Sequence, residues 1–543
     1  MPSPQQIAEL VAATPPSGKR HPLGFIAAAA TLGSLLFGYD TGVIAGALPY
    51  MSLPGAGGGL GLNDVETGLV GGLLAIGAAI GAALGGRLSD RYGRRHNILL
   101  LAMVFLVGAL GCSLAPSLAV LYPFRVVLGF AVGGAAATVP AYLSETAPVR
   151  LRGPLVAIDQ FMIVGGQLLA YTVNAFLARQ SGGPIATVQL DPSGTYAPGD
   201  QISWDLLQSI EGIQVSAGNG STWRWMLVMA TIPAIALWVC MRMMPESSRW
   251  HAANLRFVEA IGCLKRVRNE TKDNVAQEIE EMAALHRVEA REKLTLGQIL
   301  DIRWTRRILF VGVGLGVFDQ LTGINTAMYY LPTILRAAGF SSMDSISLNV
   351  VTGAASFVGS GLGFLLIAKF ARRHVGIYQE AGVSVCLFAL AAVFAVGIQP
   401  YLVGDQVVGA PAMAAWLVLI LVSVFVFVKQ SGTVMWVLQS ELYPAAIRGS
   451  AMGVGVAAVW VTNAVITFVF PVMISRLGPV WTYTAFGAIN VVALLFYIKI
   501  VPETKYHSLE ELELKLRQRY SRAGEGPGAE GGVGPVASTS ENK

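Results

Sequence analysis

The sequence predicts an all-α integral membrane protein in which twelve transmembrane helices form two parallel six-helix repeats, with short cytoplasmic helices between the halves. Three observations predict this fold. Hydrophobic residues make up 54% of the 543 residues and charged residues only 13%, which is outside the soluble globular range. Twelve apolar runs each approach about 20 residues, the length that crosses a bilayer. Polar motifs of the first half return in the second half at the same spacing.

The apolar runs also set the predicted domain boundaries. The crossings are predicted at 23–50, 65–86, 97–115, 118–141, 155–178, 223–243, 306–336, 347–368, 376–398, 411–440, 449–474 and 480–500. The domains are then an N-terminal segment (1–22), a first six-helix bundle (23–243) with a loop at 180–222, a linker (244–305), a second bundle (306–500) and a tail (501–543). Apolar residues at helical spacing from Val275 to Val288 predict a helix in the linker. The 180–222 loop is expected to be a partly ordered surface loop, and the end of the tail is expected to be disordered.

Lysine and arginine are concentrated in alternate loops. They occur at Lys19-Arg20, 87–95, the linker and 369–373, whereas the 180–222 loop contains neither residue type. The positive-inside rule therefore predicts a multi-pass protein of the cell (cytoplasmic) membrane with both termini in the cytoplasm. The net charge of +5 reflects this topology, so it does not indicate a nucleic-acid partner.

Several other classes of protein are not supported. The four cysteines (Cys112, Cys240, Cys263 and Cys386) have no metal-ligand spacing. No phosphate-binding loop or dinucleotide fingerprint follows a strand. No nucleophile, base and orienting group assemble in either half. We therefore expect no metal, no cofactor and no enzymatic activity.

The internal duplication is specific. Ser144-Glu145-x-x-Pro148-x-x-x-Arg152-Gly153 returns as Ser440-Glu441-x-x-Pro444-x-x-x-Arg448-Gly449, and Arg91-Tyr92-Gly93-Arg94-Arg95-His96 returns as Lys369-Phe370-Ala371-Arg372-Arg373-His374. Such parallel repeats are one of the architectures in which two helix bundles rock about a site at their interface.

The predicted seventh span places a carboxylate and two amides in apolar surroundings. Asp319 and Gln320 lie roughly 120 to 140° around a regular helix from Asn325, so one straight face cannot present all three. Thr322-Gly323 offers a break between them. Broken helices that line a cavity are how many transporters build a substrate site, and polar residues inside a span are functional candidates.

Taken together in this order, the motifs resemble those of a known family. They are Gly86-Arg87-x-x-Asp90-Arg91-x-Gly93-Arg94-Arg95, Glu145 with Arg152-Gly153, Pro245-Glu246-Ser247-Ser248-Arg249, Gln320-x-x-Gly323-x-Asn325, Glu441 with Arg448-Gly449, and Pro502-Glu503-Thr504-Lys505. From about Gly24 to Lys505 the chain resembles a sugar porter of the major facilitator superfamily. The resemblance implies a secondary transporter that works by alternating access.

The charged motif residues are predicted to form a cytoplasmic gate. Partly desolvated ion pairs depend strongly on geometry, so pairs that form only when the cytoplasmic mouth is shut would bias the rocking equilibrium. The predicted gate residues are Asp90, Arg91, Arg94, Arg95, Glu145, Arg152, Glu246, Arg249, Arg372, Arg373, Glu441 and Arg448. Ala368 and Ala371 replace the usual Asp and Gly of the second-half motif, which is expected to weaken its clamp.

Asp40 is a lone carboxylate in the first span, and we predict that it couples transport to protons. A neighbouring cation such as Arg125 of the fourth span would let the pair take up and release a proton. The family resemblance supports this prediction, because proton-coupled members resemble this chain in having Asp at the position, whereas passive glucose facilitators carry Asn.

For the substrate, the resemblance implies a site made by Gln160, Gln167, Gln320, Asn325, Gly432 and Trp436, to which we add Asp319. Amides both donate and accept hydrogen bonds, as sugar hydroxyls do, and an aromatic face covers the apolar side of a sugar ring. Phe427 and Trp460 are weaker candidates for that apolar wall. Asp319, Asp159 and Val459 depart from the family pattern and leave the substrate's identity open.

The sequence thus predicts uptake of a monosaccharide (a pentose or hexose) or a polyol by proton symport. The alternatives are a passive sugar facilitator, a myo-inositol or polyol transporter, and a nutrient sensor that does not transport. A sensor would need a large cytoplasmic extension, and the tail here is short. The expected partners are the small-molecule substrate, protons and the lipid bilayer, with no nucleic acid, and the protein is expected to be a monomer.

Overall fold

The computed structural model describes residues 4–20, 22–148, 152–268, 274–289, 296–403, 406–443, 445–505, 511, 515–516 and 518. Eleven helical segments of this part of the chain are long and apolar enough to cross a membrane. The last of them, Ala451–Lys499, is long enough for two crossings and is kinked at Gly478, whose φ is 75°. The twelve predicted crossings are thereby confirmed.

The first half contains six crossings. They are Leu23–Met51, Asp64–Tyr92, Arg94–Leu114, Leu118–Thr146, Arg152–Ser181, and a sixth made of Thr222–Val228 and Thr231–Met243. The second and fourth crossings run five or more residues past their predicted ends at 86 and 141. Hydropathy marks the part of a helix that lies in hydrocarbon, whereas the helix itself continues through polar residues as long as its backbone bonds are satisfied.

The second half repeats this arrangement with more interruptions. Its helices are Arg303–Leu321 and Ile324–Ala337 (seventh span), Ser342–Lys369, Arg372–Val393 extended by Phe394–Ile398 and Gln399–Tyr401, Ala412–Ser431 with Met435–Leu442 (tenth span), and Ala445–Lys499. Leu402–Val403 and Gln406–Val407 form a short antiparallel pair between the ninth and tenth spans.

Short helices fill the linker, as predicted. They are Ser248–Ala253, Phe257–Val267, Val275–Glu289 and Leu296–Asp301, and the N-terminal helix Pro4–Ala13 packs among them. Ile7, Ile261 and Ile279 lie together in their core, each at most 2% exposed. The tail prediction lies almost entirely outside the described residues.

The 180–222 loop is more ordered than predicted. Strand Ile185–Leu190 pairs antiparallel with both Gln201–Ser203 and Gln214–Gly218, and a short helix, Trp204–Leu207, follows the second strand. The sheet has its own buried apolar cluster, made by Leu53, Ala186, Val188, Trp204, Leu207 and Val215. These apolar residues are too scattered in the sequence to give a period, so only the fold brings them together.

Contacts between the two halves extend along the bundle. We call the end that carries residues 180–222 the loop end, and the end that carries Arg94 and Arg372 the motif end. Phe161 of the fifth span contacts Phe357 and Phe364 of the eighth, with ring centroids 4.1 and 6.4 Å apart. Tyr171 of the fifth span donates to the Met328 carbonyl oxygen of the seventh span over 2.9 Å, nearer the loop end. At the loop end itself, Asp205 of the loop pairs with Arg336 at the end of the seventh span.

Candidate functional site

The seventh span is interrupted where the sequence predicts a break. Its first helix ends at Leu321 and its second begins at Ile324, with Gly323 between them at a φ of 80°. This left-handed backbone is easily adopted by glycine and is costly for residues that carry a Cβ. Thr322 Oγ1 donates to the Asp319 carbonyl oxygen over 2.7 Å at the end of the first helix. The predicted break is therefore confirmed.

The break brings Gln320 and Asn325 together. Asn325 Nδ2 donates to Gln320 Oε1 over 2.5 Å. Gln320 is only 8% exposed, and Asn325 is half-buried. An amide has two donor hydrogens and an acceptor oxygen, so each keeps capacity for a further partner such as a hydroxyl. The two side chains form one polar surface in the middle of the span.

Asp319 is bonded to the protein through both carboxylate oxygens. Its Oδ1 lies 2.5 Å from Lys429 Nζ of the tenth span, and its Oδ2 accepts from Gln320 Nε2 over 3.1 Å. The Asp319 and Lys429 side chains are only 11% and 4% exposed. Sequence reasoning proposed Asp319 as a substrate ligand and missed Lys429. The signal for Lys429 was present, because a lysine inside an apolar span needs a partner.

The tenth span is interrupted between Ser431 and Met435, next to the predicted site residue Gly432. A Cβ built on Gly432 would lie 2.5 Å from Gln379 Oε1 of the ninth span, so this position admits only glycine without a shift of Gln379. Gly432 therefore allows close contact between two spans. Trp436, one turn further on, is 38% exposed.

Gln160 and Gln167 lie on the fifth span, which packs closely on the first. A Cβ built on Gly42 would lie 2.8 Å from the Gln167 carbonyl oxygen. Gln167 is 6% exposed and Gln160 is half-buried. The neighbouring Asp159 is buried and accepts a hydrogen bond from Ser34 of the first span.

One hydrogen bond between the halves shows how deep the amides of each half lie along the bundle axis. Tyr171 donates to the carbonyl oxygen of Met328. Gln167 precedes Tyr171 by one helical turn, and Asn325 precedes Met328 by just under one turn. Both spans run from the motif end towards the loop end, so Gln167 and Asn325 lie at a similar depth on either side of the interface.

The aromatic candidates differ in their surroundings. Trp460 is 6% exposed, and its ring centroid lies 5.6 Å from that of Phe37 in the opposite half. Phe427 is half-buried, with its backbone against Gly359 of the eighth span. Trp460 thus belongs to the interface between the halves, whereas Phe427 contributes to packing within the second half.

Asp40 and Arg125 form a deeply buried ion pair. Arg125 Nη1 lies 3.2 Å from Asp40 Oδ1, and both side chains are 1% exposed. Arg125 Nε donates to the Val70 carbonyl oxygen over 2.9 Å, which holds the guanidinium against the second span. Asp40 Oδ2 and Arg125 Nη2 have no hydrogen-bond partner among the described residues. One oxygen of the Asp40 carboxylate is therefore bonded to Arg125 and the other is buried without a described donor.

A polar network closes the motif end of the first half. Arg94 Nε lies 3.0 Å from Glu145 Oε2, and Ser247 also donates to Glu145. Glu246 accepts the backbone N–H of Arg95 over 2.8 Å. The network therefore joins the third and fourth spans to the start of the linker.

The second half repeats this network. Arg372 Nη2 lies 3.4 Å from Glu441 Oε1, and Thr504 also donates to Glu441. Glu503 accepts the backbone N–H groups of Arg372 and Arg373, each over 3.0 Å. Each acidic and basic group of the first network has a counterpart here, so the sequence duplication is also a duplication of contacts.

The two substitutions in the second-half motif have different effects. Asp90 pairs with Arg94 at 2.9 Å in the first half, and Ala368, at the corresponding position, has no carboxylate to do so. Ala371 stands at the position that corresponds to Gly93. Glu503 still accepts the backbone N–H of Arg372, at the start of the helix that follows. The expected weakening of the clamp thus applies to the Asp90 pair and not to the backbone contacts.

The ion pairs of both networks join helices of the same half, so they stabilise the motif end of each bundle rather than a closed contact between bundles. Among the other predicted gate residues, Arg91 is exposed over the Tyr92 ring at 5.5 Å, and Arg249 has a buried Nε. The side chains of Arg152 and Arg448 lie outside the described residues.

The chain is similar to known transport proteins over almost its whole length. The family model for sugar (and other) transporters matches residues 26–516. The Bacillus subtilis protein YfiG, named for metabolite transport, is 38% identical over 91% of this chain and 92% of its own length. The major myo-inositol transporter IolT of Bacillus subtilis is 37% identical over 90% of this chain and 93% of its own. The xylose transporter XylE from E. coli, in a partially occluded inward open conformation, superposes with a TM-score of 0.70 at 27% identity, covering 90% of this chain and 99% of XylE.

Proposed function

Because the chain belongs to the sugar transporter family of the major facilitator superfamily, we propose that it takes up a monosaccharide or polyol across the cell membrane by proton symport. The observation that carries the proposal is the break at Gly323, which gathers Gln320 and Asn325 into one polar surface inside the seventh span. We assign the protein no enzymatic activity, because the relatives described above are transporters.

The chemistry of the site supports a polyhydroxylated, uncharged substrate. Gln167, Gln320 and Asn325 present neutral amides, which bond to hydroxyl groups as donors and as acceptors. Lys429 is paired with Asp319, so this lysine is not free to bind an anionic substrate. The named substrates of the relatives, myo-inositol for IolT and xylose for XylE, belong to this chemical class.

Proton coupling is proposed to reside at Asp40. The Asp40 carboxylate contacts Arg125 through one oxygen only. When such a buried carboxylate takes up a proton, the net charge of the pair changes. A change in charge next to Arg125 alters the relative stability of the two rocking states, and this links the proton gradient to transport.

The arrangement of contacts supports an orientation and a conformational state. The loop end is proposed to face outside and the motif end the cytoplasm, with both termini inside, by the positive-inside rule. The ion pair of Asp205 with Arg336 joins the halves at the loop end, whereas the ion pairs of the motif end stay within each half. This combination supports an inward-facing state, and one chain contains both halves needed for alternating access, which supports a monomer.

Uptake into vesicles tests the proposal. The purified protein is reconstituted and given labelled xylose, glucose and myo-inositol, with and without an inward proton gradient. We expect at least one of these compounds to accumulate above its external concentration only when the gradient is present. Uptake that equilibrates without accumulation would instead identify a passive facilitator. No flux of any sugar or polyol would contradict the proposed function.

A further inference from the structure

The second half contains a second buried cluster of acids and a base, far in sequence from Asp40. Asp319 of the seventh span and Lys429 of the tenth form an ion pair at 2.5 Å. Glu380 of the ninth span is only 1% exposed. Lys429 and Asp319 both act on Glu380 electrostatically, so the three side chains form one charge cluster.

The hydrogen bonds of Glu380 leave one oxygen free. Glu380 Oε1 accepts from Gln379 Nε2 over 3.1 Å. Glu380 Oε2 is buried and has no hydrogen-bond partner among the described residues. Lys429 is committed to Asp319, and no ion pair between Lys429 and Glu380 forms in the part of the chain that the structure describes. A buried carboxylate oxygen without a donor is costly when it carries charge.

The charge count of the cluster favours a proton. With both acids ionised, Asp319, Lys429 and Glu380 together carry one net negative charge inside a membrane span. Tyr497 of the twelfth span also interacts electrostatically with Glu380, and a tyrosine side chain carries no positive charge in either protonation state. One proton brings the cluster to neutrality.

We propose that Glu380 is a proton-binding site of the second half, occupied in this conformation. The free oxygen Oε2 takes one proton from hydronium and releases a water molecule, which converts the carboxylate to a carboxylic acid and changes the charge of the cluster from −1 to 0. The proton leaves when Lys429 moves from Asp319 to Glu380 or when water reaches the carboxyl group. No residue of the Asp40–Arg125 pair takes part, so the site is independent of the proposed role of Asp40.

A cavity gives the site a route to the motif end. Its volume is about 650 Å³, and its lining runs from Lys369, at the end of the eighth span, and His374, in the first turn of the ninth, to Gln379 and Gly432. Gln379 is the residue whose amide bonds to Glu380. The cavity therefore extends from the motif end to within one side chain of the buried carboxyl group.

The cluster also touches the proposed substrate site. Asp319 accepts from Gln320, and Gln320 accepts from Asn325. When Glu380 loses its proton, it attracts Lys429 away from Asp319. The Asp319 carboxylate, no longer neutralised by Lys429, then accepts a stronger hydrogen bond from Gln320. This last step rests on the proposed function, and it makes sugar affinity depend on the protonation of Glu380.

Infrared spectroscopy tests the proton site without any transport assay. The spectrum of the wild-type protein minus that of Glu380→Gln should contain the stretching band of one protonated carboxyl group, which shifts on deuteration. Glu211→Gln, which removes an exposed carboxylate of the 180–222 loop, should show loss of an ionised carboxylate only. A Glu380→Gln difference spectrum that shows loss of an ionised carboxylate would overturn the proposal.

A second variant tests the charge argument separately. Asp319→Asn leaves Lys429 without its partner, so Lys429 should pair with Glu380 and displace the proton. The protonated carboxyl band should therefore disappear in Asp319→Asn although Glu380 is still present. Retention of the band in this variant would show that the cluster does not control the proton, and it would contradict the proposal even if Glu380→Gln failed to fold.

The pH dependence of sugar binding tests whether the proton site affects the proposed substrate site. The dissociation constant of the wild-type protein should change several-fold between acid and alkaline pH, and Glu380→Gln should remove that part of the dependence. If the infrared band is present but no sugar or polyol binds at any pH, the proton site stands and the proposed function fails. If sugar binds and the band is absent, the proposed function stands and the proton site fails.

Discussion

Asp205 and Arg336, which belong to opposite halves of the chain, form an ion pair at the loop end. Arg336 Nε lies 2.9 Å from Asp205 Oδ1. Asp205 also accepts the backbone N–H of Ser342 over 2.8 Å, at the start of the eighth span. The short helix Trp204–Leu207 of the 180–222 loop thus ties the first half to two helices of the second, and this contact has to break before the loop end can open.

Asp205→Ala should therefore favour the state that is open at the loop end. Loss of a half-buried charged hydrogen bond costs about 1–2 kcal/mol, which shifts the equilibrium about tenfold. Thr467 is fully buried where the halves meet at this end, next to Gly71, and reports on the opening. In a variant free of native cysteines, Thr467→Cys should react several-fold faster with an impermeant maleimide when Asp205 is replaced.

Asp200→Ala is the matched control for this experiment. Asp200 lies in the same loop, and its side chain accepts a local hydrogen bond from the Ala197 N–H over 2.8 Å. Its replacement should leave the labelling rate of Thr467→Cys unchanged. Equal rates in Asp205→Ala and the parent would show that the ion pair does not hold the loop end closed.

Asp40→Asn should abolish accumulation against a gradient while sugar exchange continues. Asparagine keeps an oxygen that accepts from Arg125 but cannot bind and release a proton, so protonation no longer biases the rocking equilibrium. Uphill uptake and counterflow in the same vesicles separate the two activities. Asp344→Asn, at an exposed helix start, is the control and should keep both activities. Accumulation that survives in Asp40→Asn would assign the coupling to another carboxylate.

Gln320→Ala and Asn325→Ala should each weaken sugar binding several-fold, because a neutral hydrogen bond contributes about 0.5–1.5 kcal/mol. The double variant should lose less than the sum of the two, since the side chains share a hydrogen bond of 2.5 Å. Calorimetric titration of the four proteins measures this coupling. Gln208→Ala, exposed in the loop, should bind normally. Fully additive losses would mean that the two amides act on the ligand separately.

Gly323→Ala should lower the thermal stability of the protein. Its φ of 80° lies in the left-handed region, where a residue with a Cβ costs about 1–2 kcal/mol. Gly453→Ala is a control with the opposite expected sign, because Gly453 lies within a helix and a Cβ there would meet no atom within 4 Å. Alanine in a helix is favoured over glycine by about 1 kcal/mol. A Gly323→Ala protein as stable as the parent would show that the break tolerates other residues.

The features that the sequence predicted correctly depend on neighbours along the chain. The twelve crossings follow from apolar runs, and the helix break follows from Thr322-Gly323, because a bilayer and a left-handed backbone both act on local segments. The order of the 180–222 loop was missed. Its apolar residues have no regular spacing in the sequence. The sheet depends on pairings between distant residues, such as Val188 with Val215, which local patterns do not indicate.

The sequence by itself determined that this is a duplicated, twelve-helix membrane transporter with polar residues in the middle of its seventh span. Only the tertiary structure decided which charges meet: Asp319 with Lys429, Asp205 with Arg336, and Glu380 with no base of its own. The partners in each pair lie more than 100 residues apart, on helices whose relative rotation is set by the packing of many side chains. A buried charge is stabilised only by a partner a few ångströms away, so that rotation decides which groups are paired and which are left to bind a proton.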